Sequence, residues 1–467
     1  MNINWKDIAK KISEIVEEKN ITTSPVDLIT YSSDASIDSG TPNIVVWPTT
    51  VEQISKIVKL ANEYHFPIIP RGAGTGLSGG AVPKYGGVIL DLSCMNKILE
   101  INTQDLQVLV EVGVVADDLN QELAKYGLFF PPDPASSSAA TIGGMLAENA
   151  GGIRAVKYGT TREWVLGLEV VLPTGEVVWV GRRAMKWVAG YDLVRLFIGS
   201  EGTLGIITKA LLKVRPLPET ALSAFAMFSS LEQAVHCVYK IIIEGLEPSK
   251  VEFLDQITLD AISKYTGMKF PPGEAAIIIE LDGEKLSVEK RLERLIEIFK
   301  EEKALSYDVA RTPEENMRIW QARKAALPAL SSVKPSVVIE DVTVPISKLP
   351  YMVKVVQEIS KKFNIPVATF GHVGDGNFHP CILLDIRNRD EVERMEKCAL
   401  EIAKAAIKVG GTVSGEHGIG TLKMDMYRHE APPELIKLLL KIKRTLDPKN
   451  IMNPGKIFPK EYLEGNA

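Results

Sequence analysis

Between residues 43 and 216 the apolar positions fall in short runs, among them Ile44-Val45-Val46-Trp47, Ile68-Ile69, Val88-Ile89-Leu90 and Leu106-Gln107-Val108-Leu109-Val110. Gly/Pro-rich turns separate them, a pattern that predicts strands. Residues 166–172 and 176–180 flank Pro173-Thr174-Gly175, which predicts a hairpin, and 204–214 reads as one further long strand. From about Ala221 the rhythm becomes strand, helix, strand, strand, helix, strand, the first five of these over 224–228, 231–243, 250–254, 275–281 and 285–302. That order is a ferredoxin-like split unit. Helical patterns at about 313–327, 346–363 and 388–408 then interleave with apolar runs at 337–344, 367–370 and 378–384, predicting an antiparallel sheet with helices on one face. The first 20 residues read as an amphipathic helix, and the tail carries a helix at 433–445. The expected class is α+β. The expected division is an N-terminal helix over 1–30, a first domain over 31–218, a second over 219–420 and a C-terminal segment over 421–467.

The 467 residues exceed what one core supports, in keeping with two or three domains. With 45% apolar and 24% charged residues the chain has the balance of an ordinary globular protein, which excludes disorder as its main state. A net charge of −5 offers no basic footprint for nucleic acid or an anionic membrane. The N-terminus has charges at close intervals and no apolar signal core, and nowhere do about 18 apolar residues run unbroken. The expectation is a cytoplasmic protein without a transmembrane segment. Its four cysteines, Cys94, Cys237, Cys381 and Cys398, form no C-x-x-C pair, which argues against a disulfide framework, a zinc ribbon and a cysteine-held iron–sulfur cluster. Redox chemistry here needs another cofactor.

Three segments are unusually rich in glycine and small residues. Pro70-Arg71-Gly72-Ala73-Gly74-Thr75-Gly76-Leu77-Ser78-Gly79-Gly80 contains a literal G-x-G-x-x-G, yet it runs on to Pro83, Gly86, Gly87 and the strand at Val88 instead of opening a helix. That context does not suit a nicotinamide-type dinucleotide loop. A tight structural turn explains it, and so does a nest of backbone N–H groups around an anion, with Thr75 and Ser78 as hydroxyl donors. In the second segment, 17 of the 21 residues from Pro132 to Gly152 are Ala, Gly, Ser, Thr, Pro, Asn or Asp. So little side chain makes a poor core unless a large flat ligand fills the gap. The third, Gly199-Ser200-Glu201-Gly202-Thr203-Leu204-Gly205-Ile206-Ile207-Thr208, leads into a strand whose amides suit hydrogen bonding to a ring system.

Three of the six histidines fall in two further glycine-rich signatures, Gly371-His372-Val373-Gly374-Asp375-Gly376-Asn377-Phe378-His379 and Ser414-Gly415-Glu416-His417-Gly418-Ile419-Gly420. Imidazole nitrogen plus carboxylate oxygen suits zinc, iron or manganese, with coordination positions left open for substrate oxygen. His372 and His379 converge only if the intervening Gly-Asp-Gly turn folds back between two strands. Taken alone the pair is better explained as separate hydrogen-bonded residues; Glu416-His417 in a second glycine-rich loop shifts the reading to a metal site. His65 and His236 lie in helical patterns and read as surface residues.

Together these motifs, in this order and spanning residues 31–458, resemble the FAD-linked D-lactate dehydrogenases and glycolate oxidase flavoprotein subunits of the vanillyl-alcohol oxidase superfamily. The resemblance implies a PCMH-type FAD-binding domain, a ferredoxin-like substrate (cap) domain and a C-terminal segment that returns to the FAD domain. By that similarity Arg71, Gly72, Ala73, Gly74, Thr75, Gly76, Ser78, Gly79 and Gly80 hold the FAD pyrophosphate. Pro134, Thr141, Gly143, Gly144, Asn149, Gly151 and Gly152 line the remainder of the cofactor, with Ile207 and Asn453 also at its site. No histidine occurs in 70–80 for a covalent link, so FAD is expected to be non-covalent.

His372, His379 and Glu416 are the implied metal ligands, Asn377 stands beside the substrate, His417 is the base and Arg323 the carboxylate clamp. The implied activity is oxidation of a 2-hydroxy acid by hydride transfer to flavin, the hydroxyl proton passing to an imidazole and the metal lowering the hydroxyl pKa. Relatives acting on D-2-hydroxyglutarate carry a lysine on the strand after the Arg323 helix, where this chain has Val338-Ile339-Glu340-Asp341. Glu340 and Asp341 would repel a second carboxylate, so D-lactate is preferred over a diacid, with glycolate and D-2-hydroxyglutarate as alternatives. A metal-dependent hydrolase is the alternative of another class. The acceptor is expected outside the chain: an electron-transferring flavoprotein, an iron–sulfur subunit, a quinone or a soluble acceptor.

Overall fold

The apolar runs Ile44–Val46, Ile68–Arg71 and Val88–Asp91 form parallel strands, with Val88–Asp91 between the other two. Strands covered on both faces read as continuous apolar runs, and all three residues of Ile44–Val46 are buried. The computed structural model describes residues 3–459. These divide into two compact units. The first comprises residues up to Ala150, Thr160–Leu217 and the chain from Glu416 onward; the second comprises Gly151–Gly159 and Pro218–Gly415.

In the first unit the strand Ile21–Thr22 joins the edge of the parallel sheet, antiparallel to Ile44–Val46. It follows the N-terminal amphipathic helix, which is confined to Trp5–Ser13; Ile8 and Ile12 carry its apolar stripe inward, and beyond it the chain turns into the sheet at Ile21. A second, antiparallel sheet runs in the order Ile98–Asn102, Gln107–Glu111, Ile206–Lys213, Val165–Val171, Val177–Gly181. The hairpin expected around Pro173-Thr174-Gly175 is present, closed by Gly175 N donating to Leu172 O at 2.7 Å.

The C-terminal segment returns to the parallel sheet. Ile68 N donates to Ile451 O and Asn453 N to Ile68 O, both at 2.8 Å, so residues 451–453 run alongside the strand that leads into Arg71. Helix Pro433–Leu446 is pinned there by a buried lysine. Lys443 Nζ donates to Thr203 O and Met452 O at 2.8 Å and to Asp447 at 2.5 Å, while Asp447 also accepts from the Ile451 and Met452 amides.

The second unit is built on an antiparallel sheet ordered Ser306–Ala310, Thr220–Phe228, Ala275–Gly283, Lys250–Asp255, Val367–Gly371, Asn377–Leu384, Ser336–Ile339. Its first four strands stand in the order fourth, first, third, second of their chain order, the ferredoxin-like arrangement. The helices cover both faces, not one. Ala276 and Ile278 pack with helices Gln256–Thr266 and Ala326–Val333, while Ile277 and Ile279, pointing the other way, are equally buried beneath Leu231–Ile243 and Lys285–Glu301. The sequence reading missed the helix Gln256–Thr266, which Asp255 caps by accepting from Thr258 N at 2.9 Å. The apolar run expected over 337–344 is two strands, Ser336–Ile339 and Val342–Thr343, interrupted at Glu340-Asp341.

Removing the charge of Lys443 leaves Asp447 and two carbonyls buried without their donor. Lys443→Met is expected to destabilise the first unit by about 3 kcal/mol, the range for breaking a buried pair, measured as a lowered calorimetric transition.

Candidate functional site

The glycine-rich segments meet within the first unit. Arg71 closes its strand with Nη1 donating to Ser33 O at 2.9 Å and its guanidinium 5.3 Å from the Tyr31 ring centroid. Gly72 lies so close to Thr141 that a Cβ there would collide with the hydroxyl, and Gly74 turns back on the Arg71 guanidinium at φ +70°. The second segment is not all loop: Ile142–Glu148 is a helix, capped by Thr141 Oγ1, which accepts from Gly144 N at 3.2 Å. A Cβ on Gly143 would stand 2.8 Å from Val112 Cβ, and Pro134 O accepts from Ser137 N at 2.9 Å in the preceding turn. Asn149 ends the helix in the left-handed conformation, its Oδ1 accepting from Thr160 Oγ1 at 3.0 Å and Arg162 N at 2.9 Å.

The third segment seats on the same helix, Gly199 N donating to Leu146 O and Glu201 N to Ala147 O at 2.9 Å. Ile207 follows in strand Ile206–Lys213. Asn453 joins the group from the C-terminal return, Nδ2 donating to Gly80 O at 2.9 Å and to Glu201 O at 2.7 Å, while its buried Oδ1 has no partner. Residues 71–80, Thr141, Gly143, Gly144, Asn149 and Asn453 are thus brought together; Gly151 and Gly152 open the short segment that belongs to the second unit. Backbone surfaces that exclude side chains and an amide oxygen without a donor fit a large polar cofactor held against the main chain.

Glu201 has a further task that the sequence reading did not assign. Its carboxylate accepts from Ile419 N and Gly420 N at 2.7 Å each, and Ser78 Oγ donates to Gly418 O at 3.0 Å. These bonds fix the backbone that follows Glu416-His417. Burial pushes the Glu201 carboxyl above its usual range against the pull of those two amides.

In the second unit, strands Val367–Gly371 and Asn377–Leu384 form the hairpin that convergence of the histidines requires. Phe370 stands opposite His379, so His372, two residues on, is the diagonal neighbour of His379 on the same face. The ring centroids are 5.2 Å apart. Gly371 makes the reversal possible: its φ is +153°, and a Cβ would lie 2.6 Å from Phe378 Cα.

Two buried acids frame this hairpin. Glu252, wholly buried in the middle of strand Lys250–Asp255, carries Arg323 Nε on one carboxylate oxygen and His372 Nδ1 on the other. Burial alone would raise its pKa; the Arg323 and His372 charges outweigh burial and hold the carboxyl at about 2. Arg323, in the last turn of helix Pro313–Lys324, also lies over the Phe370 ring, 4.5 Å from its centroid. It is therefore no solvated helix arginine. Its Nε and one face are occupied, and among the described residues no oxygen accepts from Nη1 or Nη2.

Asp341, at the interruption between the two short strands, accepts from Asn377 Nδ2 at 2.7 Å and Ser414 Oγ at 3.0 Å. Its charge serves the frame of the site rather than an open wall. Asn377 Nδ2 also donates to Thr343 Oγ1 at 2.8 Å, leaving a buried Oδ1 without a partner. His379 Nδ1 faces Glu340 O at 3.3 Å.

Thr412 and Ser414 bridge Thr343 and Asp341, which leaves Glu416 and His417 one and two peptide units beyond Gly415, the end of this unit. Within this unit the His372 and His379 rings stand side by side and His379 Nδ1 lies 3.8 Å from Asp341 Oδ1, so two imidazoles and a carboxylate are gathered at the hairpin. The nitrogen and carboxylate donors fit a divalent ion. With Nδ1 of both hairpin histidines facing an acceptor, Nε2 would be the atom each offers to an ion. Sequence reasoning missed Glu252; its signal was an acid inside an otherwise apolar strand, a placement seldom found without a partner.

Because the hairpin depends on a glycine at 371, Gly371→Ala is expected to cost on the order of 2 kcal/mol in urea denaturation and to diminish divalent-ion uptake in equilibrium dialysis.

Comparison with known proteins places these features in context. A family model described as "FAD linked oxidases, C-terminal domain" matches residues 217–457, and one described as "FAD binding domain" matches 42–181. The chain is 42% identical over 458 residues to "Glycolate oxidase subunit GlcD" of Bacillus subtilis (strain 168), covering 98% of this chain and 97% of that one. It is 40% identical to "Probable D-lactate dehydrogenase, mitochondrial" of Danio rerio, over 89% of this chain and 84% of the other. Identity to "D-lactate dehydrogenase" of Anaerostipes hadrus is 36%, over 97% of each. Among solved structures, p-cresol methylhydroxylase with substrate bound superposes with a TM-score of 0.82 at 21% identity, over 98% of this chain and 97% of that one, a likeness of fold. No described helix is long and apolar enough to cross a membrane.

Proposed function

We propose that this chain, which belongs to the FAD-linked oxidase family, oxidises a small D-2-hydroxy acid, D-lactate above all, to the 2-oxo acid. The observation that carries the reading is Arg323: a part-buried guanidinium held on Nε and on one face, with an Nη edge that no described residue occupies. A planar pair of donors of this kind is matched by one carboxylate, bound in two-pronged fashion. The relatives named for glycolate and D-lactate act, by their names, on acids of that size.

Arg323 binds the substrate carboxylate through Nη1 and Nη2, and Glu252 holds it in that orientation. Asn377 stands beside the substrate, with a buried Oδ1 that no described residue engages. His417 takes the hydroxyl proton on its imidazole, a role suited to neutral pH. FAD, when bound non-covalently by residues 71–80, Pro134, Thr141, Gly143, Gly144, Asn149, Gly151, Gly152, Ile207 and Asn453, supplies the acceptor for the hydride from the carbinol carbon. A zinc, iron or manganese ion held by His372, His379 and Glu416 would lower the hydroxyl pKa. Asp341 holds Asn377 in place. The electrons then pass to a separate acceptor, a partner protein or a quinone.

The test is an anaerobic visible spectrum of the purified, FAD-loaded protein before and after D-lactate, with L-lactate, glycolate and D-2-hydroxyglutarate alongside. Bleaching of the flavin bands by D-lactate and not by L-lactate is expected; bands unchanged by all four acids would overturn the reading. His417→Asn is expected to lower the rate of bleaching about 10²- to 10⁴-fold, the usual contribution of a positioned base, while the Kd for D-lactate changes little.

A further inference from the structure

We infer that Glu252 is a positioning residue shared by the carboxylate clamp and the metal site, so that one buried carboxylate sets the affinity of both. This rests on the functional reading above. The strand register supplies the placement: Phe253 pairs with Gly371 and Leu254 with Phe370, which puts Glu252 opposite His372 one step past the end of the ladder. Arg323 arrives from a helix of the same unit and takes the second oxygen.

The two bonds do different things. By accepting from His372 Nδ1, Glu252 fixes the ring tautomer that leaves Nε2 as the metal donor, and a carboxylate behind a histidine raises the basicity of that donor. By accepting from Arg323 Nε, it holds the guanidinium over Phe370 with the Nη edge turned toward a ligand. Glutamine cannot substitute, since its side chain presents one acceptor and one donor where two acceptors are needed. Aspartate keeps the charge but is one methylene short of reaching both partners.

The two limbs can be read separately without turnover. Propionate has the carboxylate of D-lactate and no hydroxyl, so its Kd, followed by calorimetry on the FAD-loaded protein, reports the clamp alone. Zinc content after dialysis at a fixed free zinc concentration reports the metal site alone. Arg323→Lys is expected to weaken propionate and spare zinc, and His372→Asn to lower zinc and spare propionate. Glu252→Gln is expected to weaken both about tenfold or more, the usual effect of losing a partner behind a metal ligand, with FAD content unchanged.

An effect of Glu252→Gln on one limb only, or on neither, would overturn the inference. If Glu252→Gln does not fold, Glu252→Asp is measured in the same two ways, and a loss in both limbs is again required. If neither variant folds, Glu252 is structural and the inference fails. A wild-type protein inert to every 2-hydroxy acid would defeat the functional reading, whereas zinc and propionate still report on Glu252.

Discussion

The antiparallel pairing of Lys250–Asp255 with Val367–Gly371 sets one cross-strand neighbour, Glu252 beside His372, and the chemistry of the second unit is arranged around it. A shift of one residue would turn Glu252 to the opposite face of the sheet and leave Arg323 without its acceptor. The register is held by apolar packing on both faces: Leu254 and Phe370 belong to the cluster under helices Gln256–Thr266 and Ala326–Val333, while Phe253 is buried on the other side. A fully buried acid in such a strand is costly unless both oxygens are used, and here both are.

The two units solve the problem of placing polar groups differently. In the first, glycine lets one backbone segment approach another: Gly72 meets Thr141, Gly143 meets Val112, and buried amides and carbonyls then bond directly. The second uses charged side chains in closed groups, Glu252 with Arg323 and His372, and Asp341 with Asn377 and Ser414. The first arrangement makes a backbone surface that suits a large ligand; the second makes a compact set of directional side chains.

This difference explains what the sequence disclosed. Glycine-rich segments are visible as composition, so all three were legible, as were the hairpin around Pro173-Thr174-Gly175 and the fold-back between His372 and His379. The strand–helix order of the second unit was legible because its periodicity changes from two to 3.6. Helix Gln256–Thr266 was not, since its cap, Asp255, is also the last residue of a strand, and an apolar run of this length is ambiguous between the two forms. Helices on both faces of the sheet were missed for a related reason: a strand buried on two sides loses the alternation from which a face is read. Glu252 and Asp341 were hidden because their meaning lies in partners 120 and 36 residues away. Glu201 stood within a quoted motif, yet its bonds to Ile419 and Gly420 cross more than 200 positions of chain.

The return of residues 451–453 to the strand Ile68–Arg71 bears on how the molecule is made. A ribosome releases the parallel sheet early, but the segment that completes its edge, with Lys443 and Asn453, emerges only after the second unit. The second unit, mostly one continuous stretch from Pro218 to Gly415, is synthesised in the interval and has only local business to settle. The first unit therefore waits, partly built, through the synthesis of some two hundred residues. Contacts this distant in sequence close slowly, and an incomplete sheet edge is the kind of surface on which nascent chains associate wrongly. The bonds that Asn453 makes to Gly80 and Glu201, which tie the first and third glycine-rich segments together, are then closed only once the second unit has been made.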